Sequence, residues 1–355
     1  MSERIPTIDV IMVAYSHRRF MAALFEGLQR VEYPRDAFTV HLVDNASPDG
    51  TADEIRRLIA ETDNLPTIVF HALNTNEGFA GGNNLVLSQS AADYAFLLNP
   101  DAIFEPSTLR EIVAAAEAHP NAGSFQPLIV LAQDPGKINS IGNDIHFAGH
   151  GYCRGYGDSI SSAPKNITPI TYASGAGVLY RMSALRHVGL FDEALFAYHE
   201  DLDLGWRLLL AGYDNLLVPS SKLRHHYEFS RSISKWYWME RNRGIVLWKH
   251  DRLWTLVLLL PVLIAIELAT WLFALLRGWG NEKWKATSWF FKPSSWVYLH
   301  AARRNTQRLR KRSDREMLPR FVSGITYQEV SSPFMEKIAN PLMAIYFFVL
   351  KRLVF

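Results

Sequence analysis

The sequence predicts an α/β chain: an open, mostly parallel twisted sheet with helices on both faces, followed by a helical C-terminal region. Three observations carry this. Short apolar, β-branched runs alternate with helical spacings through residues 8–118. The 355 residues suffice for a full core and more than one unit. Charge is split along the chain: residues 1–235 hold 18 Lys and Arg against 27 Asp and Glu, and residues 236–355 hold 19 against 8. The expected domains are therefore 1–235 and 236–355.

Ile8–Ala14 reads as a buried parallel strand. Residues 18–30 have helical spacing, with Phe20, Leu24 and Leu28 on one face. Phe38–Val43 is a second strand, closed by the turn cluster 44–50. A helix follows from Thr51 to Glu61, then a strand at Thr67–Ala72. The glycine-rich turn 78–83 opens another helix. Tyr94–Leu98 is a fourth strand, and residues 106–118 are helical. Residues 122–180, rich in Gly, Ser and Pro, suggest antiparallel strands and loops. A further helix is expected from Glu200 to Ala211.

Ligands of open α/β sheets bind beyond the carboxyl ends of the strands. Ala14 and Tyr15, Asp44 and Asp101 stand at such ends. Asp44 is also an ordinary turn former. Asp101, in Asn99-Pro100-Asp101, can hold Mg²⁺ or Mn²⁺, which take oxygen ligands and bridge phosphates; a helix cap or turn is the plainer use. His225 is a further candidate ligand. Glu200 and Asp201 sit just ahead of an apolar run, with His199 and Asp203 beside them. Asp201 shares a helix face with Leu204, Gly205 and Leu208, so it points inward, where burial raises a carboxyl pKa and makes a better base. Acids also cap helix N-termini, but three exceed that need. The turn 78–83 can bring backbone N–H groups to phosphate or sugar. It is neither a dinucleotide fingerprint nor a P-loop. One cysteine, Cys153, excludes a disulfide framework and a Cys-based zinc site.

Together these residues resemble the family 2 glycosyltransferases of the GT-A fold, and among them the bacterial rhamnosyltransferase-like members, over residues 7–245. Asp44-Asn-Ala-Ser47 with Asp49-Gly-Thr51 is similar to that family's DNxSxDGT turn. Asn76-Glu-Gly78-Phe-Ala-Gly-Gly82-Asn83 is similar to its N-x-G-F-A-G-G-N segment. Asn99-Pro-Asp101 takes the place of DxD, with Asn for the first Asp. Ser174-Gly175-Ala176 matches the acceptor-side SGA, His199-Glu200-Asp201 the ED motif, and His225, ahead of residues 227–230, the late histidine. The resemblance implies a nucleotide-sugar site at Ala14, Tyr15, Asp44, Asn76, Gly78, Gly82, Asn83, Asn99 and Asp101. It implies an acceptor side at Ser174, Gly175, Ala176 and Trp206, a metal (Mg²⁺ or Mn²⁺) on Asp101 and His225, and Asp201 as base beside Glu200. The implied reaction is inverting transfer of L-rhamnose from dTDP-rhamnose to a lipid-linked glycan of a bacterial surface polysaccharide. UDP-galactofuranose, another UDP-hexose, a polyprenyl phosphate acceptor, or a silent nucleotide-sugar-binding scaffold are the rivals. The processive Q-x-x-R-W motif is absent.

Leu253–Leu276 is apolar except for Glu267 and, at 24 residues, is about 36 Å long as a helix, enough for a hydrocarbon core of roughly 30 Å. Glu267 opposes a plain span, and a single crossing would put the basic stretch 303–320 outside. The expectation is peripheral or monotopic attachment at the cytoplasmic face of the bacterial inner membrane, with one or two spans as the alternative. Trp271, Trp279, Trp284, Trp289 and Trp296 would lie at the interface, and Arg303, Arg304, Arg308, Arg310, Lys311 and Arg312 would face anionic lipid. The apolar runs speak against nucleic acid as the partner of the basic half. The N-terminus shows no basic, apolar leader, so the first domain is expected to stay in the cytoplasm.

Overall fold

The computed structural model describes residues 4–227, 236–325, 333 and 335–354. The chain forms two compact units. The first comprises 1–143, 153–208 and 213–227; the second comprises 144–152, 209–212 and 228–355. The boundary expected at 235/236 adjoins residues 228–235, which lie outside the described set, as do 228–230 of the late-histidine segment.

In the first unit, β1 (Ile8–Ala14), β2 (Phe38–Asp44), β3 (Thr67–Ala72) and β4 (Tyr94–Leu98) pair in parallel in the order β3-β2-β1-β4. Their registers (Ala14 opposite Asp44, Ile11 opposite Leu97) bring three carboxyl ends to one edge. The linking helices are α1 (Met21–Gln29), α2 (Thr51–Glu61) and α3 (Gly78–Leu87). Helix α1 buries Met21, Leu24, Phe25 and Leu28 at the spacing that one helix face imposes. Every residue of β4 is buried, as expected of a central strand covered on both faces.

The rest of the sheet is mixed: Gly177–Arg181 is inserted antiparallel next to β4, and further antiparallel pairs follow in the 122–180 stretch, where the sequence suggested them. The strands are β5 (Ala102–Phe104), β6 (Ala122–Leu131), β7 (Asp134–Ser140), β8 (Asn143–Ile145), β9 (Gly151–Cys153), β10 (Thr168–Ile170), β11 (Gly177–Arg181) and β12 (Asp214–His225). The helices are α4 (Thr108–Ala118), α5 (Met182–Val188) and α6 (Glu200–Leu210). β11 lies antiparallel between β4 and β6, and β12 runs parallel to β6. β8 and β9 lie outside this sheet. The register of β12 slips between Val218 and Lys222, and beyond the slip its end pairs antiparallel with β5, His225 opposite Ala102. The sequence reading missed β12 because Pro219-Ser-Ser221 interrupts its alternation at the slip.

The second unit contains helices Trp236–His250, Leu253–Leu276, Gly280–Trp289, Pro293–Arg308 and Asn340–Leu353. Lys283 is 2% exposed at its side chain and lies 2.5 Å from Glu240 and 2.9 Å from Glu267; Arg243 is 3.4 Å from Glu267. The lone acid of the apolar helix, 39% exposed at its side chain, is thus paired with cations of its own unit. The basic stretch differs from expectation. Arg303 donates to the carbonyl of Asp251 at 2.7 Å and, together with Arg310, caps the C-terminal carbonyls of helix Trp236–His250, a favourable place for cations. Arg310 also pairs with Asp314 at 2.6 Å, and Arg312 donates to the carbonyls of Leu209 and Gly212. These three arginines are occupied within the unit, whereas Arg304, Arg308 and Lys311 are exposed.

Candidate active site

The site is assembled at the carboxyl edge of β1, β2 and β4. Asp44 ends β2 buried at 3% exposure; its Oδ2 accepts from the Ser47 amide at 3.3 Å, while Oδ1 has no partner among the described residues. Tyr15, 42% exposed, lies beside it across the Ala14–Asp44 register. Asn45 was not singled out from the sequence, yet it knits this edge together. Its amide nitrogen donates to Asn76 Oδ1 (3.0 Å) and to the Gly78 carbonyl (2.9 Å), and its oxygen accepts from the Glu77 amide (2.9 Å). Asn76 Oδ1 also accepts from the Gly78 amide at 2.9 Å.

Two glycines of α3 have physical reasons. Gly78 has φ +71°, and a Cβ there would collide with the Phe196 carbonyl. A Cβ at Gly82 would lie 2.6 Å from Val13, so glycine lets α3 close onto β1. Asn83 is buried and donates back to the Phe79 carbonyl of its own helix at 2.8 Å.

Past β4, the Asn99 amide donates to the Ala176 carbonyl at 3.1 Å. Ser174 is held by Gln126, whose Oε1 accepts from its amide at 2.7 Å. The next amide, of Gly175, donates to Asp201 Oδ2 at 3.1 Å, and Asp201 Oδ1 accepts from the Leu202 amide at 2.8 Å. One three-residue segment, 174–176, therefore touches both the Asn99–Asp101 turn and the first turn of α6.

Asp101 and His225 are both buried, with His225 Nε2 at 3.2 Å from Asp101 Oδ1. His225 Nδ1 faces Asn139 Oδ1 at 2.8 Å. If that oxygen accepts, Nδ1 carries the proton and Nε2 turns its lone pair toward the carboxylate. In that tautomer the oxygen anion and the imidazole lone pair suit a divalent cation, while a doubly protonated ring would make the same contact an ion pair. Among the described residues no group of three or more His, Cys, Asp or Glu forms a cage, so a cation here would need further oxygens from a ligand. Asn139 is a residue the sequence offered no signal for.

The three acids of α6 have different roles. Asp203 is fully buried and paired with Arg207 at 2.9 Å; Arg207 also donates to the carbonyls of Val188, Gly189 and Leu190 at 2.8 Å each. That pair is structural, and its i,i+4 spacing was the available sign. Glu200 is buried with Oε2 unpartnered among the described residues; burial, then the charges of Asp201 and Asp203, push its carboxyl well above the usual range. Burial likewise raises Asp201, partly offset by the amides of Gly175 and Leu202. Trp206 is 1% exposed. It fills the core and presents no face to an acceptor, which corrects the expectation placed on it.

The segment entering α6 is strained. Phe196 has φ +62° with ψ −65°, and Tyr198 and His199 have φ +67° and +68°. None is glycine, and each such conformation costs on the order of 1–3 kcal/mol. Strain of this kind persists only where surrounding contacts enforce it.

The chain belongs to glycosyl transferase family 2: residues 9–189 match that family. The sheet and helices described above are its GT-A fold, and the protein is a glycosyltransferase. It is similar, at 28% identity over 249 residues, to the N-acetylglucosaminyl-diphospho-decaprenol L-rhamnosyltransferase of Mycobacterium tuberculosis, the match covering 62% of this chain and 76% of that one. Among solved structures it resembles GalNAc-T7 with UDP, GalNAc and Mn²⁺ (TM-score 0.55, 13% identity, 69% of this chain), although it spans only 48% of that longer protein. It also resembles the mannosyltransferase PcManGT of Pyrobaculum calidifontis with GDP-Man and Mn²⁺ (TM-score 0.51, 15% identity, 98% of this chain and 86% of that one).

Proposed function

We propose that this glycosyltransferase moves a sugar, L-rhamnose from dTDP-rhamnose, onto a lipid-linked glycan by a single inverting displacement, in the synthesis of a bacterial surface polysaccharide. The observation that carries the reading is the 174–176 segment, whose carbonyl at Ala176 holds the Asn99–Asp101 turn and whose amide at Gly175 holds Asp201. Asp201 takes the proton of the acceptor hydroxyl as its oxygen attacks the anomeric carbon. The raised pKa makes it a stronger base than an ordinary carboxylate, and the Gly175 amide fixes the carboxylate's direction. Glu200 beside it, pushed higher still, shares the proton traffic. Asp44 and Tyr15 take the nucleotide base, and the Asn76–Asn83 turn lies along the nucleotide sugar. Mg²⁺ or Mn²⁺ held by Asp101 and His225 would neutralise charge growing on the diphosphate.

The donor is tested by thermal stabilisation and transfer with dTDP-rhamnose, UDP-galactofuranose and UDP-hexoses, each with and without divalent cation. Stabilisation and turnover by dTDP-rhamnose alone support the reading; preference for a UDP-sugar replaces the donor. Asp201→Asn should abolish transfer while leaving nucleotide binding intact. Full activity in that variant removes Asp201 as base.

A lipid-linked acceptor agrees with the second unit. Among the described residues one helix, Leu253–Leu276, is long and apolar enough to cross a membrane. Its exposed face is broad, running through Leu253, Val257, Leu260, Ile264, Leu268, Leu272 and Leu275 and including Trp254 and Leu276, while Leu259 and Ala274 are buried on the other side. Helix Asn340–Leu353 exposes Leu342, Ile345 and Val349 and buries Met343, Phe347 and Leu350. One-sided stripes favour helices lying in the inner leaflet at the cytoplasmic face over a span. Co-sedimentation with vesicles containing anionic lipid should be lost with Ile264→Glu and Leu268→Glu together; unchanged binding would exclude this face.

A further inference from the structure

We infer that Asn84 is a positioning residue, gripping the strained segment that sets the base and so tying it to the donor-side helix. The inference rests on the reading of Asp201 as the base. Asn84 follows the glycine-rich turn and is 8% exposed. Its amide nitrogen donates to the Phe191 carbonyl and to Glu193 Oε1, both at 2.9 Å, and its oxygen accepts from the Phe191 amide at 3.1 Å. Both N–H donors and the carbonyl are thus committed to residues 191–193. One helical turn earlier, the Ala80 amide donates to the Phe196 carbonyl at 3.1 Å, and Gly78 leaves room for that same carbonyl. Helix α3 therefore holds the segment at two points, 191–193 and 196. Immediately beyond the second point come the left-handed residues Tyr198 and His199, and then Glu200 and Asp201.

Holding both points fixes a backbone that its own residues would not choose. Without the Asn84 bonds, residues 191–196 can relax toward ordinary dihedrals. The start of α6 turns with them, and the Asp201 carboxylate leaves its line to the acceptor hydroxyl. Asn84 touches neither reactant in this account. Because α3 begins at the turn assigned to the nucleotide sugar, the same grip links donor engagement to the aim of the base.

The test uses the full chain. Asn84→Ala should lower kcat by about 10²-fold, the scale of a misplaced reacting group, with KM for the nucleotide sugar and nucleotide affinity within about twofold. Asn84→Asp should do the same, because its second oxygen would face both the Phe191 carbonyl and the Glu193 carboxylate. Adding Glu193→Gln, whose amide can donate to that oxygen, relieves one of the two repulsions and should restore part of kcat. Glu193→Ala, at an exposed position, should fold normally and show a smaller fall in kcat alone. Unchanged kcat in Glu193→Ala and Asn84→Ala, or no recovery in the double variant, overturns the inference. Should Asn84→Ala not fold, Glu193→Ala decides by itself. Asp201→Asn run in parallel separates the failures: if it retains transfer, the base assignment falls; if it is inactive while Asn84→Ala is fully active, only the role of Asn84 falls.

Discussion

In the second unit Glu240 and Glu267 meet Lys283 at 2.5 and 2.9 Å, with Arg243 close by. In the first unit Glu200 and Asp201 stand side by side, and among the described residues no Lys or Arg pairs with either. Each cluster buries one carboxylate, Glu240 or Glu200, beside a less buried one. One answers the charge with cations, which lock the helices together. The other answers it only with backbone amides and burial, so protons are held more tightly. A folded chain tolerates the second arrangement where a proton is to be moved, and Asp203 with Arg207 shows that α6 could have been neutralised throughout.

The sharpest test of this contrast exchanges the outcomes. Asp203→Asn leaves Arg207 buried and unmatched and should destabilise the fold by about 3–5 kcal/mol. Asp201→Asn turns its amide nitrogen toward one of the two backbone amides the carboxylate accepted from and should cost less, about 1 kcal/mol, while transfer falls by about 10²–10⁴-fold. Denaturant melts beside transfer assays measure both, and a stability loss in Asp201→Asn equal to that of Asp203→Asn would erase the distinction. Lys283→Met belongs on the structural side of the comparison. It strips buried Glu240 of its nearest cation and leaves Arg243 at 3.8 Å, with an expected loss of about 3 kcal/mol by the same melts, and it should shift no pH-rate profile. A smaller effect concerns the ligand side: Asn139→Ala should weaken cation affinity by about 10–100-fold, read by calorimetry in the presence of nucleotide. The smallest is the pH dependence of Glu200. Between the ordinary glutamate value and its raised one, the native state holds more protons than the unfolded chain, so this group makes stability fall as pH rises through that window. Glu200→Gln should therefore be more stable than the parent near pH 8, with the gap closing as pH drops toward the ordinary glutamate range. A constant gap across pH would contradict the assignment.

Much of this was legible in the residues. Ile8–Ala14, Thr51–Glu61, Thr67–Ala72, Tyr94–Leu98 and Leu253–Leu276 have the bounds that apolar periodicity and turn residues indicate, because in them local preference and tertiary burial agree. β5 was too short to register, and β12 is broken by Pro219-Ser-Ser221. The turn residues around Asp44, Asn76 and Asn99 were readable as polar clusters at strand ends. Their binding partners were not, because Asn45, Asn84 and Asn139 act through side-chain contacts 31 to 109 positions away. Nor does any local rule announce positive φ at Phe196, Tyr198 and His199, since the two bulky aromatics seldom adopt it and only histidine is more tolerant. The roles of Asp201 and Asp203 divide on which has a guanidinium opposite, a fact of packing. Arg303 and Arg310 counted toward a basic surface in sequence and turned out to be inward-facing caps.

The slip in β12 has a consequence for inheritance. Three residues, 219–221, lie between positions that pair with consecutive partners on β6, and beyond them side chains alternate, Arg224 exposed and His225 buried. Alternation obeys parity. The unpaired stretch can take up a one-residue change, whereas the same change within the paired residues beyond Lys222 would send the imidazole outward and carry a guanidinium in beside Asp101. Length variation among descendants of this sequence should therefore fall within 219–221 and stop short of Lys222.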